Sequence, residues 1–212
     1  MTFSSCITDK DAVLVLDTSV VINLLATGRA TSILEALSIP IIVTDTVVRE
    51  IEQGAINGRP EPELLKTMIG DQVMRVGELE GQTLTNFFDL VSGSTSQSLD
   101  DGEAATLVFA YGNGYSAAID EKKATRLAAE RFGSLCLVTT IDILAHETVR
   151  TSLGEALLAE ATFQALHLAR MQVREHQFDW VVRLIGAENV EACSSLRRHA
   201  RRASRQPRPQ IN

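Results

Sequence analysis

The sequence predicts an α/β protein: a parallel sheet covered on both faces by helices, with more helices after the last strand. Two observations carry this. The candidate strands VLVLD (13–17), IIV (41–43) and LCLVTT (135–140) are continuous apolar runs, as strands buried on both faces are, rather than alternating ones. Strand-like and helix-like segments also alternate along the first two thirds of the chain. At 212 residues the chain suits one domain with extensions.

The elements follow in order. VLVLD ends in an acid, and TSVVINLLATG reads as a turn into a helix that stops near Gly28. IIV is followed by TDT and the helical VVREIEQG. Gly54 to Pro62 is a loop, with turn signals at Asn57-Gly58 and Arg59-Pro60. Glu63–Ile69 is a short helix, Gln72–Val76 a third strand and Gln82–Val91 a helix. The Ser/Gly-rich Ser92–Ser98 is a loop. LDDGEAATLVFAYGNG is a capped helix ended by glycines. YSAAID (115–120) is a strand, EKKATRLAAERFG a helix stopped at Gly133, and LCLVTT the last strand. Beyond Asp142 the chain reads as helical over Ile143–Thr148, Gly154–Met171 and Glu175–Ile185.

Composition excludes several classes. Apolar residues make up 45%, enough for a core, but aromatics only 5%, too few for a base-stacking surface. The apolar stretch Ala12–Ala26 is interrupted by Asp17 and Asn23 and follows no basic region, so no membrane or export segment is expected. Cys6, Cys136 and Cys193 are scattered, with no zinc spacing, which suits a reducing cytoplasm. The net charge of −7 is uneven. Six arginines fall within 197–212 without an acid, leaving the first 196 residues with 14 basic and 27 acidic groups.

In a parallel α/β sheet, sites form where strands end and helices begin. Asp17 and Asp120 end two strands, Glu50 lies in the helix after the second, and Glu103 opens the helix at 101. Four carboxylates in one crevice repel one another, so cations must neutralise them or some must stay protonated. Oxygen ligands without His or Cys point to Mg²⁺ or Mn²⁺, which can deprotonate water and stabilise phosphoryl displacement. Each acid also has an ordinary structural reading. Asp17 and Asp120 fit helix caps, Asp100 and Glu103 fit a capping box, and Glu50 fits a solvated helix face. Their order and placement together favour a site.

Here the chain resembles the PIN-domain family. VLVLDTSVVINLL at Asp17, TDTVVREIE at Glu50, LDDGEAATLVFA at Glu103 and AAIDEKKATRLAAERFG at Asp120 match its ordered acids, over about residues 12–145. LDDGEAATLVFA and IDEKKATRLA look like prokaryotic standalone PIN proteins related to VapC-like toxins. The resemblance implies a three-layer α/β/α fold with a central parallel sheet. It implies a metal-dependent endoribonuclease whose catalytic and metal-binding residues are Asp17, Glu50, Glu103 and Asp120, acting on single-stranded or structured RNA. A homodimer and an antitoxin partner follow from the same resemblance. Residues 1–150 would form the PIN-like nuclease domain, 151–196 a helical extension packed on it, and 197–212 a basic, disordered tail. Two features depart from the family. Many members have Ser or Thr two residues before the fourth acid, where this chain has Ala118, and the chain runs on into the helices and the arginine tail. The first departure leaves open an inert nucleic-acid-binding or regulatory module.

Other features are weaker. Ser19 stands where a phosphoaspartyl hydrolase needs a second acid, so it reads as a cap or a partner of Asp17, with substrate contact as the alternative. Lys122, Lys123 and Arg126 read as a solvated helix face or as phosphate contacts, and Arg197, Arg198, Arg201 and Arg202 as tail contacts to RNA. Asp142 reads as a helix cap or an approach to the acidic crevice. No P-loop or GxGxxG occurs, and the four histidines form no ligand pair. Leu157, Leu158, Ala161, Ala165 and Leu168 share one broad helix face, which either covers the sheet or joins a second copy.

Overall fold

The computed structural model describes residues 3–8, 11–54, 58, 60–92 and 98–197. Five parallel strands form one sheet: β1 (Leu14–Leu16), β2 (Ile41–Thr44), β3 (Arg75–Gly77), β4 (Ser116–Ala118) and β5 (Leu137–Val138), in the order β3-β2-β1-β4-β5. β1 is central, with Leu16 level with Val43 on one side and Ala118 on the other. The chain winds outward from β1 in one direction through β2 and β3, then returns to its other side for β4 and β5. That reversal puts a crevice at the carboxyl ends of β1 and β4.

Side chains along a strand alternate between faces, and the two cores follow that period. Leu14, Leu16, Ile41, Val43, Ala118 and Val138 face one core. Helices α1 (Thr18–Ala26), α2 (Ala30–Leu37), α3 (Asp45–Gly54), α4 (Glu61–Gly70), α8 (Thr140–Ala145), α9 (Glu147–Leu168) and α10 (Phe178–Ile185) complete it. Val15, Ala117 and Ile119 face the other, closed by α5 (Gly81–Val91), α6 (Asp101–Asn113) and α7 (Lys122–Arg131). The result is the three-layer α/β/α arrangement. Among the described residues, no single helix is long and apolar enough to cross a membrane.

Several boundaries differ from the sequence reading. α2 was not foreseen; its N-cap is Arg29, which makes no side-chain capping bond and so leaves no start signal. β3 begins at Arg75 rather than Gln72, because Gln72 and Val73 donate back to Ile69 and Met68 and finish the turn after α4. β5 ends before Thr139, which caps α8 in a reciprocal box with Asp142. α9 starts at Glu147 and is broken at Gly154 (φ 72°, ψ 162°). Of the proposed helix face, Leu158, Ala161 and Ala165 are buried against the protein, while Leu157 and Leu168 are exposed. Arg197 is exposed at the end of the described chain, just after the buried Cys193 and Leu196. Arg198, Arg201, Arg202 and the rest of the basic tail lie outside the described residues.

Candidate active site

The four sequence-predicted acids, Asp17, Glu50, Glu103 and Asp120, line one cleft of about 550 Å³ at the carboxyl ends of β1 and β4. Each arrives by a different local device. Asp17 leaves β1 and caps α1, accepting from the Ser19 amide (3.3 Å) and the Ser19 hydroxyl (2.7 Å). The cap and the site position are therefore one residue. Asp120 follows β4 and is buried; the cap of α7 is Glu121, which makes no side-chain capping bond. Asp120 Oδ1 accepts from the Thr140 backbone amide at 2.9 Å, and Oδ2 from the Asn23 side-chain Nδ2 at 2.7 Å and the Thr140 hydroxyl at 2.5 Å.

Glu103 is both third residue of α6 and half of its capping box. The Asp100 carboxylate accepts from the Glu103 amide at 2.8 Å, and Glu103 accepts from the Asp100 amide at 3.4 Å. Glu50 crosses from α3 to the start of α6. Its Oε1 accepts from the Gly102 amide at 2.8 Å and its Oε2 from the Thr18 hydroxyl. Glycine at 102 permits this approach: a Cβ there would lie 2.6 Å from Thr18 Oγ1 and closer still to Glu50 Oε2.

Burial dominates the electrostatics. It pushes the Asp17 carboxyl up to about 7, with the Asp100 charge adding to it and the Ser19 hydrogen bonds opposing it. Glu103 is pushed up to about 8, again by burial first and then by the charges of Asp100 and Asp17. Glu50, Asp100 and Asp120 are raised by the same cause; hydrogen bonds from Thr18 and Gly102, from Glu103, and from Thr140 and Asn23 respectively counteract it. Cationic relief is partial: the Lys123 charge favours ionised Asp100 and the Arg174 charge favours ionised Asp120, but burial outweighs both.

The donor set is one of hard oxygens. Asp17, Glu50, Asp100, Glu103, Asp120 and Glu121 line the cleft beside Thr18 and Ser19, and among the described residues no His or Cys does. That chemistry fits Mg²⁺ or Mn²⁺. The four acids share the cleft without closing on one point. Among the described residues, no three His, Cys, Asp or Glu side chains stand together as a ready metal cage. Each carboxylate is instead turned to its own hydrogen-bond donors, as like charges require.

Sequence reasoning read Asp100 as half of the capping box but missed the supporting residues Thr18, Asn23 and Thr140. The hydroxyl that many family members carry at position 118 is absent, and Ala118 is buried in the core; Thr140 brings a hydroxyl to Asp120 from α8. Thr140 lies beyond the last strand, where no spacing ties it to Asp120. The weaker candidates divide. Ser19 bonds Asp17 and lines the cleft, as does Lys123. Lys122 and Arg126 are exposed outside it, Arg126 near Glu130 at 3.9 Å. Asp142 is the third residue of α8, the partner of the cap Thr139 in its capping box, and faces a separate hollow of about 660 Å³ with Cys6, Arg174 and His176.

A doubly flanked parallel sheet with carboxylates gathered at its switch point defines an α/β protein with an acidic cleft. The family model DUF3368, described as a PIN domain, matches residues 13–186. The chain belongs to the PIN-domain family, whose members are generally nucleases. No curated protein and no solved structure gives a significant match.

Proposed function

We propose that this protein is a Mg²⁺- or Mn²⁺-dependent endoribonuclease. One observation carries the reading: Asp17, Glu50, Glu103 and Asp120, from four separate elements, line a single cleft in a PIN domain, buried or half-buried, with burial raising the proton affinity of each. A bound divalent ion would neutralise these carboxylates, activate water and offset charge on the phosphodiester. Asp17 and Glu103 are the primary candidates to hold it, since burial pushes both carboxyls up and the Asp17 charge pushes Glu103 further. Asp120 is oriented by Thr140 and Asn23, and Glu50 by Gly102 and Thr18, so both enter with fixed rotamers. Ser19 holds Asp17 toward the cleft.

The test is incubation with a panel of RNAs in Mg²⁺, Mn²⁺ or EDTA, comparing wild type with Asp17→Asn. Cleavage by wild type that needs metal and is lost in the variant supports the reading. Equal cleavage by both proteins, or cleavage undiminished in EDTA, overturns it. A role as the toxin of a toxin–antitoxin pair belongs to the same proposal, and arrest of growth on expression, lifted by Asp17→Asn, is its test.

A further inference from the structure

The far wall of the acidic cleft comes from a strap, residues 169–174, between α9 and the short 3-10 turn Glu175–Gln177. Met171 and Val173 are buried, while Arg170 and Gln172 point outward. The strap is tied to the segment bearing Asp120. Gln172 Nε2 donates to Glu121 Oε2 at 3.0 Å, and Arg174 Nη2 donates to the Asp120 carbonyl at 3.1 Å and the Thr125 hydroxyl at 2.7 Å. The Met171 amide, donating to the Ala165 carbonyl at 3.2 Å, fixes the other end. Between these anchors Arg170 takes a left-handed backbone conformation, φ 57°, which is disfavoured for a side chain with a Cβ. An unfavourable conformation at a cleft wall asks for a function.

Charge supplies one. Six carboxylates line the cleft, and Arg170 and Lys123 are the cations among its lining residues. Among the described residues Arg170 forms no ion pair with the acids of the cleft it lines. A phosphodiester approaching this cleft is repelled until it meets a cation at the rim. A guanidinium suits a phosphate because its planar fork donates two parallel hydrogen bonds.

We propose that Arg170 binds a backbone phosphate of single-stranded RNA at the cleft rim, held in place by the strap 169–174. This inference rests on the ribonuclease reading of the same cleft. Gln172 and Arg174 are positioning residues that fix the strap and touch no substrate.

The experiment measures binding and cleavage separately in the full-length chain. Anisotropy of a labelled single-stranded oligoribonucleotide in EDTA, over a salt series, gives affinity and salt slope; Mn²⁺-dependent cleavage gives KM and kcat. Arg170→Ala is expected to weaken binding roughly tenfold and to flatten the slope of log affinity against log salt by about 0.7, one phosphate contact. KM should rise in parallel while kcat stays within about twofold. Arg170→Lys should restore part of the affinity. Arg170→Gly, which removes the cation while relieving the backbone, should bind as weakly as Arg170→Ala and still melt cooperatively. Unchanged affinity and salt slope in both Arg170→Ala and Arg170→Gly would overturn the proposal, even with Asp17→Asn inactive. If wild type binds RNA without cleaving it, the nuclease reading fails and the salt slopes alone decide Arg170. If wild type does not bind RNA at all, both fail.

Discussion

Asp17 carries two duties that separate on substitution. Asparagine caps a helix about as well as aspartate, so Asp17→Asn leaves α1 anchored and removes a charge from the cleft. In the metal-free protein the Asp17 carboxyl is raised from 3.8 to about 7. Between those values the folded chain keeps a proton that the unfolded chain has released, so stability falls as pH rises through this window. The full cost stands above about 7. Glu103, raised from 4.5 to about 8, adds to the same trend. In EDTA at pH 8, Asp17→Asn should therefore be more stable than wild type, by on the order of a few kcal/mol, with the difference shrinking toward pH 5. Denaturant titrations across pH measure this, and a difference that does not change with pH would contradict it. Gly102→Ala acts from the opposite side. Its new methyl displaces Glu50 and Thr18, so it should cost about 1–3 kcal/mol and reduce metal-dependent cleavage; full activity at wild-type stability would show that Glu50 needs no fixed position. Asp17 and Glu103 were legible because local signals, a strand end and a capping box, coincide with the site. Asn23 and Thr140 were not, since they meet Asp120 only through the packing of α1 and α8, 97 and 20 residues away in sequence.

At the scale of elements, Gly154 divides α9. Its φ of 72° with ψ of 162° lies in a region essentially confined to glycine, and a Cβ there meets nothing within 4 Å. Gly154→Ala should thus destabilise through backbone strain alone, by about 1–3 kcal/mol, with RNA cleavage per folded molecule unchanged. A melting temperature equal to wild type would refute the strain. The sequence reading puts a helix start at Gly154, which is where α9 breaks, and a helix over Ile143–Thr148, but it leaves out the helical residues 149–153 between them. Apolar runs announced β1 and β2 because burial on both faces leaves a continuous signal. β3, with Arg75 and Val76 exposed at the sheet edge, offers none, and its boundary was misjudged accordingly.

The whole molecule is an acidic body, 14 basic against 27 acidic groups over residues 1–196, joined to a basic tail. Long-range repulsion of RNA by such a body makes affinity depend on the few cations that face the substrate. Deletion after Leu196 should weaken RNA binding and flatten its salt slope by roughly 1.5 to 3, for two to four tail contacts, while the metal requirement persists. Identical salt slopes for full-length and truncated protein would leave the tail without a part in binding. The three-layer architecture itself was legible from alternation and apolar runs. The surface on which the last helices pack was not, because the contacts of α9 with α1 and α2 follow from no local pattern.

The strap that closes the cleft has a consequence in time. Chain synthesis is vectorial, and Asp17, Glu50, Glu103 and Asp120 all emerge before residues 169–174 and their anchor Arg174. A nascent chain can thus possess every acid of the cleft while still lacking its far wall and the cation on its rim. The order of translation makes assembly of this cleft wait for residues 169–174, after every one of its acids has left the ribosome.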